Sequence, residues 1–317
     1  MYGARLSPCA LRLRAVVGLL IVGFGESCAT PRALTADQAD KAPILGERGA
    51  LSPSRDERLV DQRLDPAQDT VHVRELIEAL REQSATPLIA GNRVAPLIDG
   101  PQTLAAIRRA IEEAQRHIHV ETYIFADDEI GREFRDLLIR RRQQGVEVRV
   151  LYDAIGSVDT PTAFFAPMLA AGVEVREFRP LSPAKTPLPW KVNNRDHRKI
   201  VVVDGRTAFT GGVNISSTYA SSSATRPGPE AGRNEAWRDT HVQIDGPAAA
   251  QFQALFFETW TRAGGEIDAK QEARQREYFP GIAAVGADLV AAVATTGGDG
   301  SETTIYSTHL VAVRHAS

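Results

Sequence analysis

Cysteine is almost missing from this 317-residue chain: Cys9 and Cys28 are the only two, and both precede residue 30. Everything after them has no disulfide framework, no cysteine-based zinc cluster and no cysteine nucleophile. Lysine is nearly as scarce, with Lys41, Lys185, Lys191, Lys199 and Lys270 the only five among 37 basic residues, so a lysine inside a motif stands out. An excess of one sign of charge is lacking too: 37 basic against 40 acidic side chains leave a net charge of -3. That balance argues against general coating of nucleic acid, although a local basic patch can still hold a phosphate. The chain shows no Gly-x-Ser-x-Gly elbow, no Walker loop and no His-Glu-x-x-His helix. What is present is ordinary for a folded protein. Hydrophobic residues at 43% and charged residues at 24% exclude a wholly disordered or multispanning chain.

The opening segment has Arg5, Arg12 and Arg14 ahead of an apolar run over 15–24, the layout of an export signal and short for a membrane-spanning helix. Cys28 follows where a lipoprotein cysteine sits, but Glu26 fits a lipobox poorly. Three readings stand: a lipid anchor at Cys28, an ordinary export signal, or an apolar start by chance. The first two place the body at or beyond a cell membrane. Residues 29–85 read as a tether with one short helix near 71–83.

From residue 86 onward, strand and helix patterns alternate. Strands are expected at 94–99, 117–125, 146–152, 173–178, 199–203, 207–210 and 240–244, and helices at 102–116, 130–145, 163–171 and 248–263. Alternation of this kind means an α/β fold, a mixed sheet flanked by helices. Asp127 and Asp128 read as acids capping the second of these helices. A Pro-rich loop over 181–195 holds Lys185, Leu188, Trp190 and Lys191, equally suited to a lipid surface or to plain solvent. After a linker, a strand at 288–295 and a helix at 304–316 repeat the order that opened the domain, so 271–317 reads as the incomplete start of a second, similar half.

The informative segment is His197-Arg198-Lys199-Ile200-Val201-Val202-Val203-Asp204. His197 and Lys199 are two apart on an expected strand, so both project from one face. An imidazole beside an ammonium suits phosphodiester chemistry: one attacks phosphorus or moves a proton while the other neutralises a non-bridging oxygen. Composition alone gives about 0.007 chance occurrences of this spacing, so it is not an accident of scarce residues. Asp204, before Gly205, reads either as a turn residue or as a participant in the chemistry. His117 and His119 read as packing histidines, and Glu121 as a buried acid or a core-edge residue.

HRKIVVVDG followed by FTGGVNIS resembles the phospholipase D superfamily motif, and the blocks LIDGPQTLAAIRRAI, HVETYIFADDEIGREF, GVEVRVLYDAIGS and WRDTHVQIDGPAA extend the likeness to bacterial cardiolipin synthases over most of 86–317. The resemblance implies one full phospholipase D-like half-domain over 86–270, with its motif within 192–219. It also implies a metal-free and cofactor-free phosphatidyltransferase acting on phosphatidylglycerol at a membrane surface. His197 would form the phosphohistidine, Lys199 and Asn214 would hold phosphoryl oxygens, and Asp239 would orient the histidine. The departure is that such proteins carry two motifs, the second histidine protonating the leaving alcohol, and this sequence has one copy; His309 and His315 lack the lysine. Two expectations follow: a homodimer that supplies the second histidine, or a truncated half. The rivals are a homodimeric phosphodiesterase or nuclease and an inactive lipid-binding remnant, with nucleic acid disfavoured by charge.

Overall fold

The computed structural model describes residues 44–46, 49–63, 70–83, 87–181, 195–220, 239–267 and 277–292. The described part of 29–85 holds more than one short helix. Strands β1 (Ile44–Gly46) and β2 (Gly49–Ala50) and helix α1 (Pro53–Arg63) precede the expected helix, α2 (Thr70–Gln83). Their apolar residues are too sparse to show a period; Ile44 and Val60 are buried because they meet Ile77, Leu88 and Leu289 from elsewhere in the chain. The segment around Cys28, residues 182–194 with Trp190, residues 221–238 and the expected helix at 304–316 lie outside the described residues.

The remaining elements are β3 (Leu88–Leu97), α3 (Gly100–Glu113), β4 (His117–Thr122), α4 (Glu129–Gln143), β5 (Glu147–Asp153), α5 (Ala166–Ala170), β6 (Glu174–Phe178), β7 (Ile200–Val203), β8 (Thr207–Gly211), β9 (His241–Asp245), α6 (Ala249–Arg262) and β10 (Asp288–Val290). Local signals set the helix ends. Asp99 accepts the Gln102 N–H at 3.0 Å and Asp128 accepts the Gly131 N–H at 2.9 Å, each satisfying an orphan donor of the first turn. Helix α4 then ends in Arg140, Arg141 and Arg142, favourable at the negative end of the helix dipole, before Gly145 at φ 93 reverses the chain.

The strands form one mixed sheet in the order β2-β1-β3-β9-β8-β7-β4-β5-β6, with β10 on β3. Strands β4, β5 and β6 are parallel, while β7, β8, β9 and the second half of β3 are antiparallel to their neighbours. Period-two alternation sorts the side chains onto two faces. Ile118, Val120, Val148, Val150, Val201, Val203 and Phe209 pack under α3 and α4, where Phe134, Leu137 and Leu138 are buried. Each such large apolar side chain contributes roughly 1.5–3 kcal/mol by leaving water. Ile200, Val202, Ala208, Val242 and Ile244 pack on the other face, against Phe252 of α6. The result is the expected mixed sheet with helices on both sides. Among the described residues no helix is long and apolar enough to cross a membrane.

Candidate active site

Strand β7 runs antiparallel to β4, so its start meets the end of β4: Ile200 pairs with Glu121 on one side and Thr210 on the other. His197 and Lys199, just before β7, therefore lie beside the C-terminal ends of β4 and β5 and the end of β8, where open α/β sheets tend to hold ligands. The next strand contributes from the same edge, because Gly211 pairs with His241 and Asp239 stands two residues earlier. One edge of the sheet thus gathers His197, Lys199 and Asp239.

His197 is half-buried and packs edge-on to Tyr123, with ring centroids 4.6 Å apart; the Lys199 Nζ lies 5.3 Å from the centre of that same ring. Lys199 is 5% exposed, and its Nζ donates to the His197 carbonyl at 2.8 Å. Burial pulls the Lys199 ammonium down to about 8, against the charges of Asp196, Asp239 and Asp153, which favour it. Burial and then the Lys199 charge hold the His197 imidazole below its ordinary value, opposed by Asp196 and Asp239. At neutral pH the site thus pairs a neutral imidazole with a charged amine, which is what attack on a phosphodiester requires.

Asn214 is buried, and its side chain bridges two loops. Its Oδ1 accepts the Ile124 N–H at 3.0 Å and its Nδ2 donates to the Tyr219 hydroxyl at 2.7 Å. Backbone bonds from Ile215 to Ile124 (3.2 Å) and from Ala126 to Ile215 (3.0 Å) stitch the same loops together. Asp128 does more than cap α4, since its Oδ2 also accepts from Ser216 Oγ at 2.9 Å and Ser217 N at 2.7 Å. The carboxylate of Asp239 lies against Gly212: a Cβ on that glycine would stand 2.4 Å from Asp239 Oδ1. Gly212 is therefore glycine so that a carboxylate can occupy the space beside it.

Asp204, expected either at the turn or in the chemistry, belongs to the turn. It adopts φ 52 at the far end of β7 and accepts the backbone N–H groups of Gln115, Arg116 and His117 at 2.8, 2.7 and 2.9 Å. Four strand residues separate it from Lys199, and its carboxylate clamps backbone at the opposite end of β7. His117 and His119 are the packing histidines expected, both on the α6 face. His119 stacks on Phe256 at 4.7 Å and bonds to Gln253 at 2.6 Å.

Three further features surround the site. Tyr123 is the aromatic wall of His197. His241 is buried on the same face as Lys199, one strand beyond Gly211, with its Nδ1 3.3 Å from the Val213 N–H; burial, and then the Lys199 charge, pull it down to about 3. Behind the sheet, Arg198 lies 3.1 Å from Glu121 and bonds to Asp196 at 3.1 Å. Burial and the nearby Asp196 push the Glu121 carboxyl well above its usual range, against the Arg198 charge, which pulls it down. Of these only Glu121 had a sequence signal, an acid inside an apolar strand; the others depend on which strands become neighbours. Among the described residues no group of three or more His, Cys, Asp or Glu side chains is arranged to hold a metal ion.

Residues 107–224 match the family described as cardiolipin synthase, PLD-like domain. The chain is 37% identical over 243 residues to cardiolipin synthase 1 of Bacillus cereus, covering 76% of this chain and 46% of that protein. It is 39% identical over 199 residues to the cardiolipin synthase of Geobacillus thermodenitrificans, covering 62% of this chain and 37% of that protein. The chain thus spans less than half the length of these curated relatives. Among solved structures, phosphatidylserine synthase of Haemophilus influenzae aligns over 64% of this chain and 47% of its own at 15% identity, with a TM-score of 0.42.

Proposed function

The chain belongs to the phospholipase D superfamily, and on that footing we propose that it is an enzyme of phospholipid synthesis that moves a phosphatidyl group from one phosphatidylglycerol to the headgroup hydroxyl of another. The observation that carries this reading is the shared edge of the sheet on which a half-buried imidazole, a buried ammonium and the Asp239 carboxylate converge. An imidazole nitrogen of His197 attacks phosphorus, the bond from phosphorus to the glycerol oxygen breaks, and glycerol leaves with one proton. The hydroxyl of the second phosphatidylglycerol then attacks the same phosphorus, the phosphorus–nitrogen bond breaks, and the hydroxyl proton is released. Lys199 neutralises a non-bridging oxygen, and the Asp239 charge supports the imidazolium-like intermediate. Asn214 keeps the phosphate-facing loop in place through Ile124 and Tyr219, and its amide is the second candidate to reach an oxygen.

Glycerol leaves slowly as an alkoxide, and a general acid is typically worth about 10²–10⁴-fold. We assign that acid to the motif histidine of a second half-domain, from another copy of the chain or from further sequence. The opening segment supports placing this chemistry at a membrane surface, reached by export or by a lipid on Cys28.

The test is product analysis by mass spectrometry. Protein in detergent is incubated with phosphatidylglycerol beside a His197→Ala control. Cardiolipin that vanishes in the variant supports transfer; phosphatidic acid instead makes the chain a hydrolase on the same scaffold. Unchanged product in the variant removes His197 as the nucleophile. The second reading, a homodimeric phosphodiesterase, draws on the single motif and predicts chelator-resistant cleavage of nucleic acid by a sedimenting dimer.

A further inference from the structure

We propose that Glu121 is a positioning residue for His197 and Lys199, acting from the opposite face of the sheet through Arg198 and Asp196. The inference rests on the assignment of His197 to the chemistry, and it names no new substrate. Because side chains alternate along the segment, Arg198 points away from the face that carries His197 and Lys199. There its Nε bonds to Asp196 Oδ1 at 3.1 Å and lies 3.1 Å from Glu121 Oε1, and its guanidinium also bonds to Thr259 Oγ1 of α6. Asp196 is fastened twice more, since its Oδ1 accepts the Arg198 backbone N–H at 3.2 Å and its own N–H donates to Asp153 Oδ2 at 3.1 Å.

These contacts tie the four residues 195–198 to the ends of β4 and β5 and to α6. Glu121, Asp196 and Lys199 are all buried, so little water competes with the contacts. A buried acid costs stability that an apolar side chain would not. On its face of β4 Glu121 follows the buried His117 and His119, and what its carboxyl adds there is an oxygen 3.1 Å from the Arg198 Nε. The guanidinium fork sets its Nε 3.1 Å from both carboxyl groups while a second nitrogen bonds to Thr259, and these contacts restrain the backbone between Asp196 and Lys199. An error of about 1 Å in a reacting group can cost about 10²-fold in rate.

The experiment uses the full chain with isotope-labelled histidine. The His197 signal, assigned by its loss in His197→Ala, is titrated by NMR in four proteins: the parent, Glu121→Gln, Glu121→Ala and Arg198→Lys. Glu121→Gln preserves shape and polarity and is expected to retain the parent titration curve. Glu121→Ala, and Arg198→Lys, which keeps charge but loses the fork, are expected to shift the His197 midpoint and to lower turnover about tenfold or more with KM nearly unchanged. Arg198→Lys keeps the test open if Glu121→Ala does not fold. If folded Glu121→Ala and Arg198→Lys melt at lower temperature yet leave the His197 curve on that of the parent, Glu121 is only structural and the proposal is overturned. Because the NMR titration needs no substrate, it decides the point even if phosphatidylglycerol proves not to be the substrate.

Discussion

The Asp204 carboxylate accepts the backbone N–H of His117 at 2.9 Å, so the acid that closes the His-x-Lys-x4-Asp pattern secures the start of a neighbouring strand. With the N–H groups of Gln115 and Arg116 on the same carboxylate, three donors at the entrance to β4 depend on one side chain. Asp204→Ala should therefore lower stability by about 2–3 kcal/mol, read by denaturant unfolding, because charged acceptors are lost and φ 52 disfavours alanine. Asp204→Asn, which tolerates that φ, should lose less. Turnover per folded molecule should stay near that of the parent; a selective loss of activity in fully folded Asp204→Asn would place the acid back in the chemistry.

Gly212→Ala should impair the site while sparing the fold. Its methyl group would stand 2.4 Å from Asp239 Oδ1, so the carboxylate must move off the position from which it acts on His197. Turnover should drop by about tenfold, with a melting temperature within a few degrees of the parent. Full activity in this variant would mean that Asp239 does not need its present place.

Lys199 gives the activity an alkaline limb. Its ammonium, pulled down to about 8 by burial, is charged below that pH and neutral above it. Turnover should fall as pH rises through about 8. Lys199→Arg should keep partial activity with that limb gone, because a guanidinium stays charged. An identical limb in Lys199→Arg would assign it to another group.

Acid should destabilise the fold beginning near pH 6.5. Burial holds His117 and His241 neutral down to about 3, while an unfolded chain binds their protons from about pH 6.5. Between those values the unfolded state carries more protons, so stability falls with pH by up to about 1.4 kcal/mol per unit for each histidine. Glu147, held down to about 2 beside His119, Tyr278 and Arg149, adds a further loss between about 4.5 and 2. Glu121, raised by burial, works the other way and becomes less costly as pH falls. Melting curves from pH 7.5 to 5 should show the decline, and His117→Gln should flatten it.

Much of the architecture was legible because its causes are local. The Asp99 and Asp128 caps, the apolar stripe of Phe134, Leu137 and Leu138, and the Val201–Val203 alternation each act within a few residues, and they place helices and strands near where the structure has them. Elements that gain their burial from distant partners were not legible: Val60 in α1 is covered by residues that follow it in the chain, and β10 pairs with β3 across almost the whole domain.

The sequence by itself determined the chemistry on offer, since His197 and Lys199 share a face by the two-residue period of a strand and scarce lysine makes the pair conspicuous. It also determined that Asp204 could turn the chain. Only the tertiary structure decided which of these residues meet. Strand order brings Asp239 and His241 beside Lys199 through the space left at Gly211 and Gly212, and carries Asp204 away to clamp β4. The same packing hides Arg198, Glu121 and Asp196 behind the motif, because burial and charge pairing arise between strands that the sequence alone does not make neighbours.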